Sequence, residues 1–345
     1  MRVVRFHEYG GPEVLRLETI PDPHPRADEV LIRVRACGVN HIDVMLRSGR
    51  LRLPGQQPLP HILGMEVAGE VIAVGDRVQR VRVGDRVLAA VVTCGACAFC
   101  QSGRENLCEE RRMLGTHLPG GYAEFVTVPE RGVIRLPDAL EFSQAAAART
   151  AFGTAWHLLI ERGRLRAGEV VLIHSASSGV GSAGVQIARL AGARVIATTS
   201  SEKKAEALRA LGAHDVIVYT QHDVVAEVRR LTEGRGADLV FDVVGGEVFL
   251  QSLQCVAKGG RVATCGAIRS DQATINIIHL FFREIEIIGA TGSTQLEVEG
   301  VLRLVAEGRL RPLIDRVLPL SEASQAHRLM EEGQLFGKIL LVPGE

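Results

Sequence analysis

The sequence has no excess of charge of either sign and very little lysine. Lys and Arg together number 40, Asp and Glu also number 40, and the formal net charge of the 345-residue chain is zero. Lysine occurs only at positions 203, 204, 258 and 338, so arginine carries almost all of the positive charge. Nucleic acids and anionic membranes attract proteins that have a basic field. The balanced charge therefore predicts that neither nucleic acid nor a membrane is a partner.

Long apolar runs are also absent. No segment approaches the roughly 18 to 20 apolar residues needed to span a bilayer, and the first residues, MRVVRFHEYGGPEVL, lack the apolar core of a signal peptide. Hydrophobic residues make up 46% and charged residues 23% of the chain, as in soluble globular proteins. A chain of this length suits two domains. We therefore expect a cytosolic protein of two domains.

Cysteine is scarce except in one place. Four of the seven cysteines lie in CGACAFCQSGRENLC, with the spacing C-x2-C-x2-C-x7-C. In a reducing cytosol such a cluster binds metal more often than it forms disulfides, and four thiolates complete the closed shell of a structural zinc. An iron–sulfur cluster or a loop that is merely rich in cysteine are the alternatives. Because the shell has no open position, we expect the chemistry elsewhere. The predicted zinc ligands are Cys94, Cys97, Cys100 and Cys108.

The hydrophobic pattern changes along the chain. The N-terminal third, with EVLIRVRACGV and MEVAGEVIAVGDRV, reads as short strands of a barrel between Gly-Asp turns. The middle alternates apolar strands such as GEVVLIHSA with helices such as VGSAGVQIARLAGA, which predicts a parallel, doubly wound sheet. The last segment reads helix, helix, strand, ending at FGKILLVP. The fold class is therefore α/β, with a β-barrel part and a doubly wound part.

The loop HSASSGVGSAG lies between a predicted strand and a predicted helix. Gly179 and Gly181 allow a tight turn and a close approach to a pyrophosphate at the helix N-terminus, where free N–H groups attract anions. The motif is a variant, since Ala176 and Ser178 stand where glycines are common. In its strand–turn–helix context it predicts a dinucleotide site.

The end of the next strand indicates which dinucleotide binds. An NAD site would place Asp or Glu there, to bind the ribose hydroxyls. This chain reads ATTSSEKK, with hydroxyls and a lysine but no acid before Glu202. We therefore predict NADPH, and the alternative is that Lys203 and Lys204 only form a solvated helix face. The predicted cofactor-binding residues are Ser177, Ser178, Gly179, Val180, Gly181, Thr199, Ser200, Lys203 and Gly266.

Several motifs together carry a family resemblance. CGVNHIDVMLRSG, GMEVAGEV, the four-cysteine lobe, GGYAEFVTVP, TAWHLL and SSGVGSAGVQIA occur in the order seen in the medium-chain dehydrogenase/reductases. The chain resembles a zinc-type alcohol dehydrogenase in its lobe and a quinone oxidoreductase around its active site. The resemblance implies a GroES-like catalytic domain in residues 1–130 and 303–345 and a Rossmann domain in residues 131–302. It also implies a homodimer or homotetramer that acts on a small molecule.

In the family that the chain resembles, some members bind a second, catalytic zinc through residues at three positions. Members that hold this zinc carry Cys, His, and a third Cys or acid where this chain has Asn40, Met65 and Thr150. A thioether and two neutral oxygen groups do not make a normal zinc site. We therefore predict no normal catalytic zinc. An irregular site that uses nearby Cys37, His41, His61 and Glu66 remains the alternative.

Without such a metal, hydride addition to an enone or quinone is easier than addition to a simple carbonyl, because hydrogen-bond donors can hold the developing oxyanion. The predicted donor is Asn40, and His41 would contact cofactor phosphate or relay a proton. Asp43 resembles the buried acid of the family, which orients its neighbours, and Thr150 would touch nicotinamide or substrate. Arg149 would bind an acyl-CoA or carboxylate group or form a surface salt bridge.

These residues predict an NADPH-dependent reductase of quinones or activated double bonds. A zinc-dependent alcohol dehydrogenase with an irregular metal site is the first alternative. A cofactor-binding protein with little catalysis is the second. The sequence does not identify the proton donor, because Val44, Met45 and Leu46 stand where some quinone reductases have a tyrosine.

Overall fold

The computed structural model describes residues 1–344 and divides into two units. The first unit consists of Met1–Arg149 and of the chain from Thr294 onward, and the second is Thr150–Ser293. These changes at 149/150 and 293/294 lie inside the predicted Rossmann segment, whose boundaries at 130/131 and 302/303 remain predictions. None of the helices in residues 1–344 is long and apolar enough to cross a bilayer.

The strands of residues 1–344 are short and fall into three sheets. In chain order they are β1 Arg2–Phe6, β2 Arg16–Thr19, β3 Glu29–Gly38, β4 His61–Ile62, β5 Glu66–Val74, β6 Arg86–Ala89, β7 Phe125–Pro129, β8 Val133–Arg135, β9 Val170–Ile173, β10 Arg194–Thr199, β11 Asp215–Val218, β12 Ala237–Asp242, β13 Val256–Thr264, β14 Glu286–Gly289, β15 Ile314–Pro319 and β16 Lys338–Val342.

The helices lie mainly in the second unit and near the end of the chain. In chain order they are α1 His41–Arg47, α2 Ala98–Gln101, α3 Phe142–Trp156, α4 Gly179–Leu190, α5 Glu202–Leu211, α6 Val224–Leu231, α7 Glu247–Cys255, α8 Ile277–Phe282, α9 Gln295–Ala306 and α10 Ala323–Glu331. A π-helical stretch, His157–Arg162, continues α3.

The first unit is built on a seven-stranded sheet. Its order is β15-β16-β3-β5-β6-β8, with β7 paired to the first half of β3, and a second sheet has the order β2-β1-β4. In β3 the apolar residues Ile32 and Val34 are buried while Arg33 and Arg35 are exposed, so this part of the strand has one face in the core. The last residues of β3, from Ala36 to Gly38, are all buried, and the strand therefore ends in the interior.

The second unit is a parallel sheet of six strands in the order β11-β10-β9-β12-β13-β14. Each neighbouring pair is parallel, and β9 and β12 are buried almost along their whole length, as expected for strands covered by helices on both faces. The strand order reverses between β9 and β12. This is the doubly wound order of dinucleotide-binding domains, in which ligands bind at the carboxyl ends of the strands beside the reversal. The predicted α/β fold class is confirmed.

Candidate functional site

The first unit brings the ends of three strands together. The register pairs Gly38, the last residue of β3, with Leu340 of β16 on one side and with Glu66 of β5 on the other. Lys338 and Glu66 are the first residues of their strands, so both side chains reach the end of β3. The α1 helix begins directly after this point, with Asn40 as its N-cap residue.

Lys338 is a buried cation surrounded by three oxygen atoms. Its Nζ forms an ion pair with Glu66 Oε2 at 2.7 Å and donates hydrogen bonds to Asn40 Oδ1 at 2.7 Å and to the Val39 carbonyl at 3.0 Å. Two hydrogen bonds and one ion pair therefore fix the position of this ammonium group. The side chains of Lys338 and Glu66 are only 6% and 0% exposed, so this is an interior ion pair.

The contact with Lys338 determines how the Asn40 carboxamide is oriented. A lysine ammonium can only donate, so the atom that faces it must be the amide oxygen and not the nitrogen. The Asn40 Nδ2 is consequently turned the other way. This NH2 group is buried and has no hydrogen-bond partner among residues 1–344. A buried donor without an acceptor is costly, and a bound ligand that offers an oxygen would remove the cost.

Asp43 holds the start of α1 in place. Its Oδ2 accepts a hydrogen bond from the backbone N–H of Asn40 at 2.8 Å, and its Oδ1 accepts one from the Gly64 N–H at 3.3 Å. Burial raises the pKa of Asp43 to about 7, although both N–H groups and the Lys338 ammonium act in the opposite direction. Asp43 thereby fixes the backbone from which the Asn40 side chain extends.

Tyr122 contacts Asp43, and His327 contacts Tyr122. The Tyr122 hydroxyl lies 3.4 Å from Asp43 Oδ2 and 3.0 Å from His327 Nε2, and all three side chains are buried. Burial, with the nearby Arg47 guanidinium, lowers the pKa of His327 to about 3, so its ring is neutral at pH 7. A tautomer with the proton on Nε2 would donate to Tyr122, whose own proton then goes to Asp43. No sequence motif indicated this chain of contacts.

His41 is the first residue of α1 and is in contact with solvent, although neighbouring atoms surround much of its ring. Partial burial and the nearby Lys338 ammonium lower the pKa of His41 below its ordinary value. The ring is therefore mostly neutral at pH 7, and a neutral imidazole can take up and release a proton. Asn40, His41 and Asp43 thus lie together at the start of α1. Thr150 lies in α3, is half-buried and belongs to the second unit.

The residues at the three catalytic-zinc positions do not fit zinc. Asn40 Oδ1 accepts from an ammonium, Met65 offers a buried thioether, and Thr150 offers a neutral hydroxyl. A divalent cation bound to Asn40 Oδ1 would lie beside the positive charge of Lys338 and would be repelled by it. Zinc prefers thiolate, imidazole and carboxylate ligands, and these three positions supply none of them.

The residues of the irregular alternative have other contacts. His61 is fully buried, with Nε2 2.8 Å from the Gly115 carbonyl, Nδ1 3.4 Å from the Gln57 carbonyl, and its ring stacked on Phe6. Burial and the nearby acids raise the pKa of the Cys37 thiol well above its ordinary value, so a thiolate is disfavoured there. These two residues behave as parts of the core.

Arg149 is not the surface residue that one interpretation predicted. It is 8% exposed, and burial lowers its pKa while the field of Glu66 acts in the opposite direction. Glu66 forms an ion pair with Lys338, and the Arg149 guanidinium lies within range of its charge.

The sulfur atoms of the four cysteines lie close enough together to hold a metal ion. The Sγ atoms of Cys94 and Cys100 are 3.8 Å apart, those of Cys97 and Cys100 are 3.6 Å apart, and those of Cys108 and Cys94 are 3.6 Å apart. A tetrahedral zinc with Zn–S bonds of about 2.3 Å spaces its sulfurs by about 3.8 Å. Hydrogen bonds from the N–H groups of Ala96 and Cys97 lower the pKa of Cys94 to about 6. Among residues 1–344, no other group of three or more His, Cys, Asp and Glu ligand atoms lies as close together.

The second unit places the predicted pyrophosphate loop at the start of α4. Ser178 is the N-cap residue, and its Oγ accepts a hydrogen bond from the Gly181 N–H at 3.0 Å. Residues 177–180 are half-buried and lie at the carboxyl end of β9. A Cβ on Gly181 would come within 2.2 Å of the Ser175 carbonyl oxygen, so only glycine fits this turn. The loop and helix N-terminus together can hold an anion.

The neighbouring strand β10 ends at Thr199. This strand end is where the sequence predicts contacts with the 2′-phosphate of the cofactor. Thr199 is buried, and its Oγ1 has no partner among residues 1–344. Ser200 is half-buried, Ser201 caps α5 by accepting from the Lys204 N–H, and Lys203 is exposed in the first turn of α5. No carboxylate therefore lies between the end of β10 and the start of α5.

Gly266 completes the carboxyl edge of this sheet. It follows β13, and a Cβ on Gly266 would come within 2.3 Å of the Val243 carbonyl oxygen, which follows β12. The backbones after β12 and β13 are therefore in close contact beside the reversal of strand order. The predicted cofactor residues occupy one edge of the sheet, where the fold class places nucleotides.

Sequence profiles of known families match most of the chain. Residues 26–138 match the alcohol dehydrogenase GroES-like domain, and residues 179–307 match the zinc-binding dehydrogenase domain. The class is thus that of the dehydrogenases with a GroES-like domain and a Rossmann-type domain. The chain belongs to the medium-chain dehydrogenase/reductase superfamily, as its motifs predicted, and it is an oxidoreductase of that type.

Individual relatives carry two kinds of name. Quinone oxidoreductase of Rattus norvegicus is 34% identical over 351 residues, which cover 99% of this chain and 98% of the relative. NAD-dependent alcohol dehydrogenase of Sulfurisphaera tokodaii is 34% identical over 353 residues, with coverage of 99% and 100%. A crystal structure of an NAD-dependent alcohol dehydrogenase superimposes with a TM-score of 0.94 at 42% identity and covers 100% of both chains.

Proposed function

We propose that this protein is an NADPH-dependent reductase of quinones or of activated double bonds in enones, enals or enoyl-CoA thioesters. The observation that carries the proposal is the Asn40 carboxamide, which stands at a zinc-ligand position of the family and presents a buried NH2 without a partner. Its oxygen is held by Lys338 at 2.7 Å. The protein thus offers a fixed hydrogen-bond donor where related enzymes would offer a metal.

This donor suits conjugate reduction. When bound, the nicotinamide supplies a hydride to the electron-poor carbon of the substrate. Negative charge then develops on the substrate oxygen, as an enolate or a hydroquinone anion, and Asn40 Nδ2 donates a hydrogen bond to that oxygen. Asp43 keeps the backbone of Asn40 in place through its 2.8 Å hydrogen bond. Neutral His41 relays the proton that completes the reduction, and Thr150 contacts the nicotinamide or the substrate.

Two features support NADPH over NADH. No carboxylate lies between the end of β10 and the start of α5, where an NAD site would hold the ribose hydroxyls. Lys203 is exposed at the start of α5. A 2′-phosphate bound there would be attracted both by the ammonium group of Lys203 and by the dipole of the helix. The loop before α4 and the backbone at Gly266 bind the rest of the cofactor. Zinc, one per chain, is held by the four cysteines and takes no part in turnover.

Alcohol dehydrogenase activity is the second candidate, because relatives with that name are as similar to this chain as the quinone oxidoreductases are. It would require something to lower the pKa of the alcohol before hydride leaves. The Lys338 ammonium already occupies the Asn40 oxygen, and within residues 1–344 the four cysteines of the lobe are the only cluster of zinc-ligand atoms this close together. We therefore place conjugate reduction first.

A panel of substrates with NADPH tests the proposal. We expect turnover with quinones, enones or enals, and little oxidation of simple alcohols with NADP+. Asn40→Ala should lower kcat on the best substrate by about 10² to 10³, the usual effect of removing an oxyanion donor. Arg50→Ala, an exposed residue shortly after α1, is the control and should leave kcat unchanged.

Alcohol oxidation would contradict the proposal if a chelator too weak to strip the cysteine site abolished it. A catalytic metal would then be present after all. An enzyme that reduces enones equally well with and without the Asn40 amide would instead contradict the assignment of the donor.

A further inference from the structure

The proposed function uses Lys338 only as the group that contacts the Asn40 oxygen. We propose that Lys338 is a positioning residue, which holds the Asn40 carboxamide so that its NH2 meets the substrate oxygen and makes this NH2 a stronger donor. The inference rests on the proposed function, because it concerns the same oxyanion site. It adds a charged residue from the last strand of the sheet to the catalytic arrangement.

The first argument is geometric. Asn40 can rotate its amide plane, and in a free side chain the oxygen and nitrogen would exchange places at little cost. The 2.7 Å contact with Lys338 Nζ removes this freedom, because only the oxygen can accept from an ammonium. The ammonium is itself fixed by the Val39 carbonyl and by Glu66. The donor atom Nδ2 is therefore oriented before substrate arrives, as preorganised catalysis requires.

The second argument is electronic. An ammonium that donates to an amide oxygen draws electron density through the amide and makes its N–H groups more acidic. Hydrogen bonds in such a chain strengthen one another, and the effect is larger where water is excluded. Lys338 and Asn40 Nδ2 are both buried. Part of the lysine's positive charge therefore acts on the substrate oxygen through the Asn40 amide.

The third argument concerns what keeps the cation in the interior. Burying an unpaired ammonium is expensive, and Glu66 compensates the charge at 2.7 Å. The backbone leaves room for this pair only because residue 38 is glycine. A Cβ on Gly38 would lie 1.8 Å from Glu66 Oε2. Glu66 thus neutralises Lys338 without competing for the Asn40 oxygen.

A double-mutant cycle between Lys338 and Asn40 tests the inference, with kcat and KM measured for the wild-type protein, Lys338→Met, Asn40→Ala and the double variant. Lys338→Met should lower kcat by about tenfold or more, the scale of one hydrogen bond to a charged group. Because Lys338 acts through Asn40, adding Lys338→Met to Asn40→Ala should change kcat by less than about threefold. The Kd for NADPH should stay the same in all four proteins.

A structural role alone would give a different pattern. Lys338→Met would then lower the unfolding temperature and the active fraction, and its effect on kcat would be equal in the two backgrounds. Equal effects, or an unchanged kcat in Lys338→Met, would overturn the inference. If Asn40→Ala also had no effect, the donor assignment of the proposed function would fail, and this is a separate result.

Lys338→Met removes the cation that lies 2.7 Å from the buried Glu66 carboxylate, and this loss destabilises the folded protein. The combined variant Lys338→Met with Glu66→Gln removes both charges and avoids this. It should fold and show the same loss of kcat as Lys338→Met. A folded, neutral variant with wild-type kcat would overturn the inference equally well.

Discussion

Lys203 is the residue on which the predicted preference for NADPH depends most. Its side chain is exposed in the first turn of α5, directly after Glu202, which begins this helix and is the first acid after β10. An exposed ammonium is partly screened by water, so its contribution is smaller than that of a buried contact. It can nevertheless separate two cofactors that differ only in a 2′-phosphate.

We therefore expect Lys203→Ala to weaken NADPH binding by about tenfold while leaving NADH binding unchanged. Titration of both cofactors, followed by fluorescence or calorimetry, would measure the two Kd values. Lys258→Ala is the matched control, since Lys258 is another exposed lysine of the second unit. Equal losses for the two cofactors, or for the two variants, would show that the preference has another source.

Single residues of the site differ in how far the sequence could reveal them. Asn40 and Asp43 lie in one short motif and were predicted together. Lys338 contacts Asn40 across 298 positions, and Tyr122 contacts Asp43 across 79. Such pairs are brought together only by the pairing of strands, which no local motif encodes. The scarcity of lysine was the available signal, because one of four lysines lies in an otherwise apolar strand.

At the scale of elements, the cysteine lobe can be separated from the catalysis. Cys97 is the N-cap residue of α2, and serine is a good N-cap, so Cys97→Ser removes a metal ligand without removing the start of the helix. The four sulfurs belong to the first unit. A metal ion bound to these sulfurs would therefore contribute to the folding of the first unit.

We expect purified protein to contain one zinc per chain and Cys97→Ser to lose it on dialysis. The unfolding temperature of Cys97→Ser should fall by about 5 °C or more, while kcat per folded molecule stays within about twofold. Ser102→Ala, in the same lobe, controls for a general disturbance of the loop. Two zincs per chain would contradict the assignment of a purely structural metal, and iron in place of zinc would contradict its identity.

Strands and helices whose apolar residues follow a regular spacing were predicted from the sequence, and those without such a spacing were not. Strands β9, β10, β12 and β13 and helices α4 and α5 follow apolar runs or amphipathic patterns that local reasoning can recognise. The α3 helix contains AAAARTAFGTA and is buried on nearly all sides, so it shows no apolar stripe. The β11 strand has only four residues. Short or uniformly buried elements depend on the tertiary structure.

At the scale of the whole molecule, the second unit exposes apolar side chains on α8 and on the edge strand β14. The α8 helix exposes stacked Phe281 and Phe282, and Phe282 is 74% exposed. Strand β14 is the last in its sheet, and Ile287 within it is 40% exposed. An exposed sheet edge beside an apolar patch is typical of an interface between subunits.

We therefore predict a homo-oligomer, a dimer or a tetramer, whose formation depends on this surface. Phe282→Glu should shift the mass measured by sedimentation or light scattering toward that of the 37.2 kDa chain. Leu296→Glu introduces the same charge at another exposed apolar residue, which is 72% exposed in the first unit, and should leave the mass unchanged. A wild-type protein that is monomeric at micromolar concentration would contradict the prediction.

The position of Lys338 in β16 also bears on how the protein is made. The second unit is one uninterrupted segment and can fold as soon as the ribosome has released it, since domains generally fold as units during synthesis. The sheet of the first unit cannot be completed before β16 has been translated, because β16 lies between β15 and β3. Lys338, in β16, is translated after the whole of the second unit and after β3. A nascent chain that has not yet reached β16 therefore lacks the contact between Lys338 and Asn40, although its second unit is already complete.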